Sequence, residues 1–399
     1  MKKKILFVIN TLGRAGAENA LLELLKRIDK SQNTVSLYVL TGQGELFDRI
    51  PEGVKLLNKN FCSASVHTAE GRKVLKKTVL KSLFKNLNII RLFPYLVVNS
   101  FRMIKKKKIM PEKLLWRPIS DGALRFSSEY DLAVAYIEGA SAYYVADHVN
   151  ARKKAAFIHV DYKKAGYTRG LDKNCYLKYK KIFGVSGEVA DVFKSVYPEL
   201  ANKTDIFHNL LDVEGIREKA EEGSGFYDGF EGTRLLTVGR LMAQKAFEVS
   251  IRACSILRKR GEKIRWYVLG EGDQRKKLED YIEKLGLKQD FILFGAVDNP
   301  YPYMKQADIY VHCSRFEGKS IAIQEAQILG KPIIVSDCSG NREQVVPDED
   351  GIICDFTPKA IAGAITELLR NKEKRAYIAG KALTKNDSEE EGLDKLLDI

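Results

Sequence analysis

The sequence predicts an α/β protein of two Rossmann-like domains, each a doubly wound parallel sheet, facing one another across a cleft. Three observations carry this. The 399 residues exceed what one ordinary core organises and suit two. Short β-branched runs alternate with amphipathic helical stretches along the N-terminal half, and a second such series fills the C-terminal half. Loops bearing Gly, Arg, Lys and Glu directly follow several of the predicted strands, which is where open α/β sheets bind ligands.

The chain starts MKKKILFVINTLG, with five apolar residues between the basic cap and Asn10. That is a first strand, too short for the apolar stretch of a signal peptide. Nothing elsewhere approaches the ~20 apolar residues of a membrane-spanning helix. Residues are 45% hydrophobic and 30% charged, as in a soluble globular protein. The six cysteines are scattered with no C-x-x-C pair, and the five histidines have no zinc spacing. Reduced thiols, no metal site and a cytoplasmic location are expected.

KILFVIN is the first strand, TLGRAGAENA a Gly-bearing turn, NALLELLKRI an amphipathic helix and TVSLYVL the second strand. DLAVAYI, KAAFIHV and KIFGVS continue the first series after a basic region. The second series runs TRLLTVG, IRWYVLG, FILFG, DIYVHC, KPIIVSD and GIICDF. The Gly- and acid-rich stretch EKAEEGSGFYDGFEGT, residues 218–233, is the most linker-like segment between them. The expected division is 1–205, 206–375 and a tail, 376–399, able to strap back to the first domain.

The net charge of +14 is concentrated. Arg72–Arg117 holds fourteen Lys/Arg against one acid, Glu112, so the rest of the chain is nearly neutral. This segment interleaves Leu, Ile, Phe and Trp with its cations at helical spacing, and Pro94 is expected to divide it into two helices. A solvated helical face explains scattered charge but not this concentration. Nucleic-acid binding would bring a recognisable module, and none is present. A basic amphipathic surface on anionic lipid headgroups fits best, at ~1 kcal/mol per cation, which places the protein at the inner face of the cell membrane.

Four loops carry candidate chemistry. GRAGAE opens a helix after strand one, and Gly16 there lets backbone amides approach an anion, although a tight turn alone also asks for glycine. TVGRLMAQKA places Arg240 and Lys245 five apart, two cations suited to a diphosphate. VLGEGDQR is a near miss to the dinucleotide fingerprint, poor for nicotinamide but acceptable as a close-approach loop at Gly270. RFEGKSIAIQEAQILGKPIIVSD sets Glu317 in a loop and Glu325 in the following helix, with Gly318, Lys319 and Ser320 offering a turn and amides between them. Glu325 can accept two hydrogen bonds from vicinal ribose hydroxyls, and Glu317 can grip a sugar. One acid for each sugar of a nucleotide sugar explains the spacing.

In order along the chain, GRAGAE, VGRLMAQKA, LGEGDQRKKLE, E-G-K-S-x4-E, GKPIIVSD and G-x-x-E (Gly340, Glu343) resemble glycosyltransferase family 4, the retaining enzymes of GT-B fold. The likeness runs from residue 5 to about 370 and is densest over 233–346. It implies that Arg240 and Lys245 neutralise the donor diphosphate and that Glu325 holds the ribose. It also implies that Glu317, with the amides of Gly318, Lys319 and Ser320, holds the transferred sugar. His159, in FIHVDY, would contact that sugar or the acceptor. Ala246 stands where the family usually has Gly, Lys319-Ser320 where an aromatic and Pro are common, and His312-Cys313 where Pro is frequent.

The resulting expectation is metal-independent sugar transfer with retention from a nucleotide sugar, UDP- or GDP-linked, to a saccharide or lipid-linked acceptor in cell-surface polysaccharide or glycolipid synthesis. The one Asp-x-Asp, Asp348-Glu349-Asp350, reads as a turn. Two alternatives are a sugar-nucleotide epimerase of the same fold and a non-catalytic, membrane-associated partner in a polysaccharide assembly complex.

Overall fold

The structure, a computed structural model, describes residues 2–66, 68–85, 88–105, 110–385 and 392–399. The chain forms two compact units, Met1–Leu210 with Glu390–Ile399, and Leu211–Glu389.

The first unit contains strands β1 (Lys3–Ile9), β2 (Asn33–Val39), β3 (Val54–Leu56), β4 (Tyr130–Ala135), β5 (Ala151–Ile158), β6 (Lys181–Gly184) and β7 (Thr204–Ile206). They pair in the order β3-β2-β1-β4-β5-β6-β7, every pair parallel. Its helices are α1 (Gly16–Arg27), α2 (Ala69–Phe84), α3 (Asn88–Lys105), α4 (Pro111–Gly122), α5 (Ala140–His148), α6 (Arg169–Asp172) and α7 (Gly187–Val196). Successive β1 residues face opposite sides, so Leu6 and Val8 join one core cluster while Ile5, Phe7 and Ile9 join another. Both faces are covered, which is why the strand reads as an unbroken apolar run.

The second unit begins with α8 (Val213–Ala220) and continues with β8 (Thr233–Val238), α9 (Phe247–Lys259), β9 (Ile264–Leu269), α10 (Arg275–Lys284), β10 (Phe291–Gly295), α11 (Tyr301–Gln306) and β11 (Ile309–His312). Then come α12 (Ile321–Ile328), β12 (Ile333–Ser336), α13 (Ser339–Arg342), β13 (Ile352–Cys354), α14 (Pro358–Arg370) and α15 (Lys372–Leu383). The parallel order is β10-β9-β8-β11-β12-β13. Trp266 and Tyr267, adjacent in β9, serve the cores on opposite faces. A last helix, α16 (Gly392–Leu397), belongs to the first unit, where Leu396 is fully buried and the Lys3 ammonium donates to the Leu397 carbonyl.

Three local expectations change. Pro94 does not divide the basic segment; it sits inside α3. A mid-helix proline costs ~3 kcal/mol, but α3 is held by buried Leu92, Tyr95 and Asn99 along one face, with Tyr95 donating to the Leu171 carbonyl at 3.3 Å. Stretch 218–233 lies inside the second unit, where Phe226 packs on Tyr267 at 4.3 Å and Asp228 pairs with Arg265 at 2.7 Å. The edge strands β3 and β7, three residues each, carry no pattern long enough to read. Much of the Lys105–Lys108 run lies outside the described residues.

Candidate active site

The second sheet reverses strand order between β8 and β11, and Arg240, Lys245, Glu317, Gly318, Lys319 and Ser320 lie in the segments that follow those two strands. Gly239 and Arg240 follow β8, and the Arg240 side chain is exposed, with no ion-pair partner among the described residues. Gly270, after β9, has φ 150°, and a Cβ there would lie 2.0 Å from the Gly239 carbonyl oxygen. Only glycine lets these two loops meet. A short 3-10 turn, Ala243–Lys245, then leads into α9 through Ala246. Ala246 holds φ 48°, the left-handed region. This is the physical reason a glycine suits that position, and an alanine there bears the steric cost of ~1–2 kcal/mol.

Lys245 and Glu317 meet directly, with Nζ 2.6 Å from Oε1. Glu317 is 6% exposed. Its Oε1 also lies 3.0 Å from His312 Nε2 and accepts the Ser314 hydroxyl, while Gln244 Nε2 is 3.5 Å from Oε2. Burial by itself would raise the Glu317 pKa. The Lys245 ammonium and the His312 hydrogen bond overcome it and hold the carboxyl far below the ordinary range. His312 is fully buried at the end of β11; burial and then Lys245 push its pKa down, against the pull of Glu317.

Glu325 lies in α12, half-buried, accepting the Tyr301 hydroxyl at 2.9 Å. With no cation beside it among the described residues, burial raises its pKa to about 7, the Tyr301 bond opposing only in part. The two acids of the motif are therefore shifted in opposite directions. The Ser320 amide donates to Gln344 Oε1 at 2.7 Å, and Gln344 Nε2 donates back to the Ser320 carbonyl at 2.9 Å. That amide is committed within the protein, which removes it from the set expected to hold the sugar. Gly318 does not adopt a left-handed φ. The glycine that shapes this loop is Gly340, where a Cβ would fall 2.2 Å from the Gly318 carbonyl oxygen. Asp348 and Asp350 pair with Lys374 and Lys385 in the turn before β13, and Asp350 accepts the Val346 amide at 2.6 Å.

Gly16 and His159 belong to the first unit. Gly16 begins α1, whose N-cap residue Ala15 offers no side-chain acceptor. His159 follows β5, and its amide donates to the buried Glu138 carboxylate at 3.0 Å. Its Nε2 is buried without a hydrogen-bond partner among the described residues, and burial lowers the ring pKa to about 4, the Tyr136 backbone opposing.

The sequence reading did not find the roles of His312, Ser314, Gln244, Gln344 and Tyr301. His312 was visible only as a departure from the family pattern; its pairing with Glu317 depends on the turn that follows β11. The glutamines and Tyr301 act through tertiary hydrogen bonds that leave no spacing in the chain.

Residues 230–384 match the family model described as glycosyl transferases group 1. Over 383 residues the chain is 26% identical to the N-acetylgalactosamine-N,N'-diacetylbacillosaminyl-diphospho-undecaprenol 4-alpha-N-acetylgalactosaminyltransferase of Campylobacter jejuni, covering 94% of this chain and 93% of that one. The chain is similar to glycosyltransferases. An uncharacterized glycosyltransferase of Methanocaldococcus jannaschii is 29% identical over 181 residues, 43% of this chain and 44% of its own length, so the match spans less than half of that relative. The Anabaena protein HepE, solved in complex with UDP-glucose, superimposes with a TM-score of 0.65 at 15% identity, over 98% of this chain and 95% of that one. The fold is GT-B.

Proposed function

We propose that this protein is a retaining, metal-independent glycosyltransferase of the family 4 type. It moves a sugar from a nucleoside-diphosphate sugar, UDP- or GDP-linked, to a hydroxyl of a lipid-linked saccharide in cell-surface polysaccharide or glycolipid synthesis. The observation that carries the reading is the Lys245–Glu317 pair at the strand-order reversal, with Glu325 in the helix that follows. Arg240 and Lys245 neutralise the diphosphate as it leaves, preorganised charge worth several kcal/mol in a water-poor site. Gly270 keeps the β9 loop close enough for backbone approach. Glu325 accepts the ribose hydroxyls, and Glu317 with the Gly318 and Lys319 amides holds the transferred sugar. The first unit serves the acceptor; Gly16 lets backbone amides approach an anion of the donor, and His159 contacts the transferred sugar or the acceptor. The acceptor hydroxyl attacks the anomeric carbon on the face the nucleotide departs from, so configuration is kept.

The lipid-linked acceptor is suggested by the name of the Campylobacter relative and by α3. On α3, Ile90, Phe93, Val97, Phe101 and Ile104 recur at helical spacing and are 49–68% exposed. The Lys/Arg-rich flank lies beside them. Among the described residues no helix is long and apolar enough to cross a membrane. The helix instead lies in the interface at the inner face, with apolar side chains among the acyl chains and cations on the headgroups.

The test begins with calorimetry against UDP, GDP and ADP, followed by transfer from nucleotide sugars of the base that binds. An axial or equatorial anomeric proton in the product reports retention, and an EDTA arm reports metal dependence. Binding of none of the three, or an inverted product, overturns the reading.

A further inference from the structure

Lys245 faces two demands. In this structure its ammonium compensates the buried Glu317 carboxylate at 2.6 Å, and among the described residues no other Lys or Arg is within ion-pair distance of that carboxylate. On the function proposed above, the same ammonium turns to the donor diphosphate. A buried carboxylate stripped of its cation is strongly disfavoured, so some other group must hold Glu317 at the moment the sugar needs it.

We propose that His312 is a positioning residue that takes over from Lys245 as the charged hydrogen-bond donor to Glu317 when anionic ligand draws the lysine away. Its Nε2 lies 3.0 Å from Glu317 Oε1 and 3.2 Å from Lys245 Nζ. One ring nitrogen thus stands between a carboxylate, which asks it to donate, and an ammonium, which asks it to accept. While Lys245 stays, a second positive charge at that distance is suppressed. Once the ammonium moves, Glu317 remains as the charged neighbour, and the ring can take a proton from solvent and donate Nε2–H to it. Nδ1 faces the Tyr310 hydroxyl at 3.4 Å, which can accept the second N–H.

The groups facing the ring are few. Lys245 comes from the turn before α9; Ser314, Glu317 and Ser320 from the loop between β11 and α12, with the two hydroxyls 3.4 and 3.5 Å from Nε2; and Tyr310 from β11 itself. The hydroxyls can orient the carboxylate but cannot supply charge. Among the described residues bonded to that carboxylate, only His312 can do so once Lys245 has left.

The chain has five histidines, so selective 15N-histidine labelling gives a sparse long-range 1H–15N spectrum. At pH 7.5 the ligand-free wild type should show His312 as a neutral ring with two well-separated nitrogen shifts. In Lys245→Met, without any nucleotide, the two shifts should converge as in imidazolium. A neutral ring there overturns the hand-over without reference to the donor. Lys245→Gln provides the same arm should the methionine variant fail to fold. Saturating wild type with UDP or GDP should cause the same convergence, and binding that leaves His312 neutral also overturns it. If neither nucleotide binds, the donor reading fails and the hand-over to a diphosphate fails with it. The lysine variants then report the Glu317–His312 pairing alone. His312→Gln, which keeps a donor, should retain more turnover than His312→Leu at similar KM; equal turnover in the two counts against the role.

Discussion

If Glu325 holds the ribose as an ionised acceptor, nucleotide affinity must depend on its titration. Its carboxyl, ordinarily near 4.5, is raised to about 7 by burial. At pH 8 it is mostly ionised and ready; at pH 6 about nine molecules in ten are protonated, and binding must first expel the proton. Apparent affinity therefore falls roughly tenfold from pH 8 to pH 6. Phosphate groups of the nucleotide also titrate near pH 6, so the measurement is a ratio. Calorimetry with UDP or GDP from pH 5.5 to 8.5 compares wild type with Glu325→Gln, in which the phosphate and His312 titrations remain and so cancel in the ratio. The ratio of the two affinities should change about thirtyfold across the range, about tenfold of it between pH 6 and pH 8. Stability supplies the companion sign. A raised folded pKa means that the carboxyl's contribution is fully present below about 4.5 and is lost as pH rises through about 7. Glu325→Gln removes that loss, so the variant should gain up to about 3 kcal/mol at pH 8, less what partial exposure recovers, and almost nothing at pH 4.5. A flat affinity ratio, with identical stability profiles, would refute the assignment of Glu325.

Lys245→Met should destabilise the second unit in denaturant titration by less than the ~3–5 kcal/mol of a stranded buried carboxylate, because His312 takes over the pairing with Glu317, and Lys245→Met/Glu317→Gln should recover most of the loss. Gly340→Ala pushes a methyl into the Gly318 carbonyl; turnover should fall at least tenfold while circular dichroism stays native, and wild-type turnover would dismiss the close-approach argument. Ala246→Gly should leave unfolding free energy within about 0.5 kcal/mol of wild type, since relief of the left-handed strain offsets the added chain entropy and lost methyl burial. A loss of 2 kcal/mol would mean the strain is absent. Phe93→Ser/Phe101→Ser should abolish co-sedimentation with vesicles containing anionic lipid without altering nucleotide binding; unchanged sedimentation ends the membrane reading.

The two sheets were legible because a strand covered on both faces must be apolar throughout, and runs such as Ile5–Ile9 and Ile333–Val335 have no other reading. The ends of β8 and β11 were legible as well, since a ligand site in this architecture can only be built there. What escaped was whatever depends on a partner far along the chain. Nothing in Ser320 announces that Gln344 will claim its amide, and nothing in Pro94 announces that Tyr95 will anchor the helix past it. The opposite pKa shifts of Glu317 and Glu325 are equally tertiary, since one meets a lysine and the other a tyrosine.

Helix α16 has a consequence for biosynthesis. Leu396 belongs to the same core as Ile5, Phe7 and Phe207, whose other fully buried members are made well over a hundred residues earlier. Domains emerging from the ribosome ordinarily close in order. Here the first unit waits, its hydrophobic slot open, until α16 has been made, so a stop before Leu396 would harm the part of the molecule synthesised first.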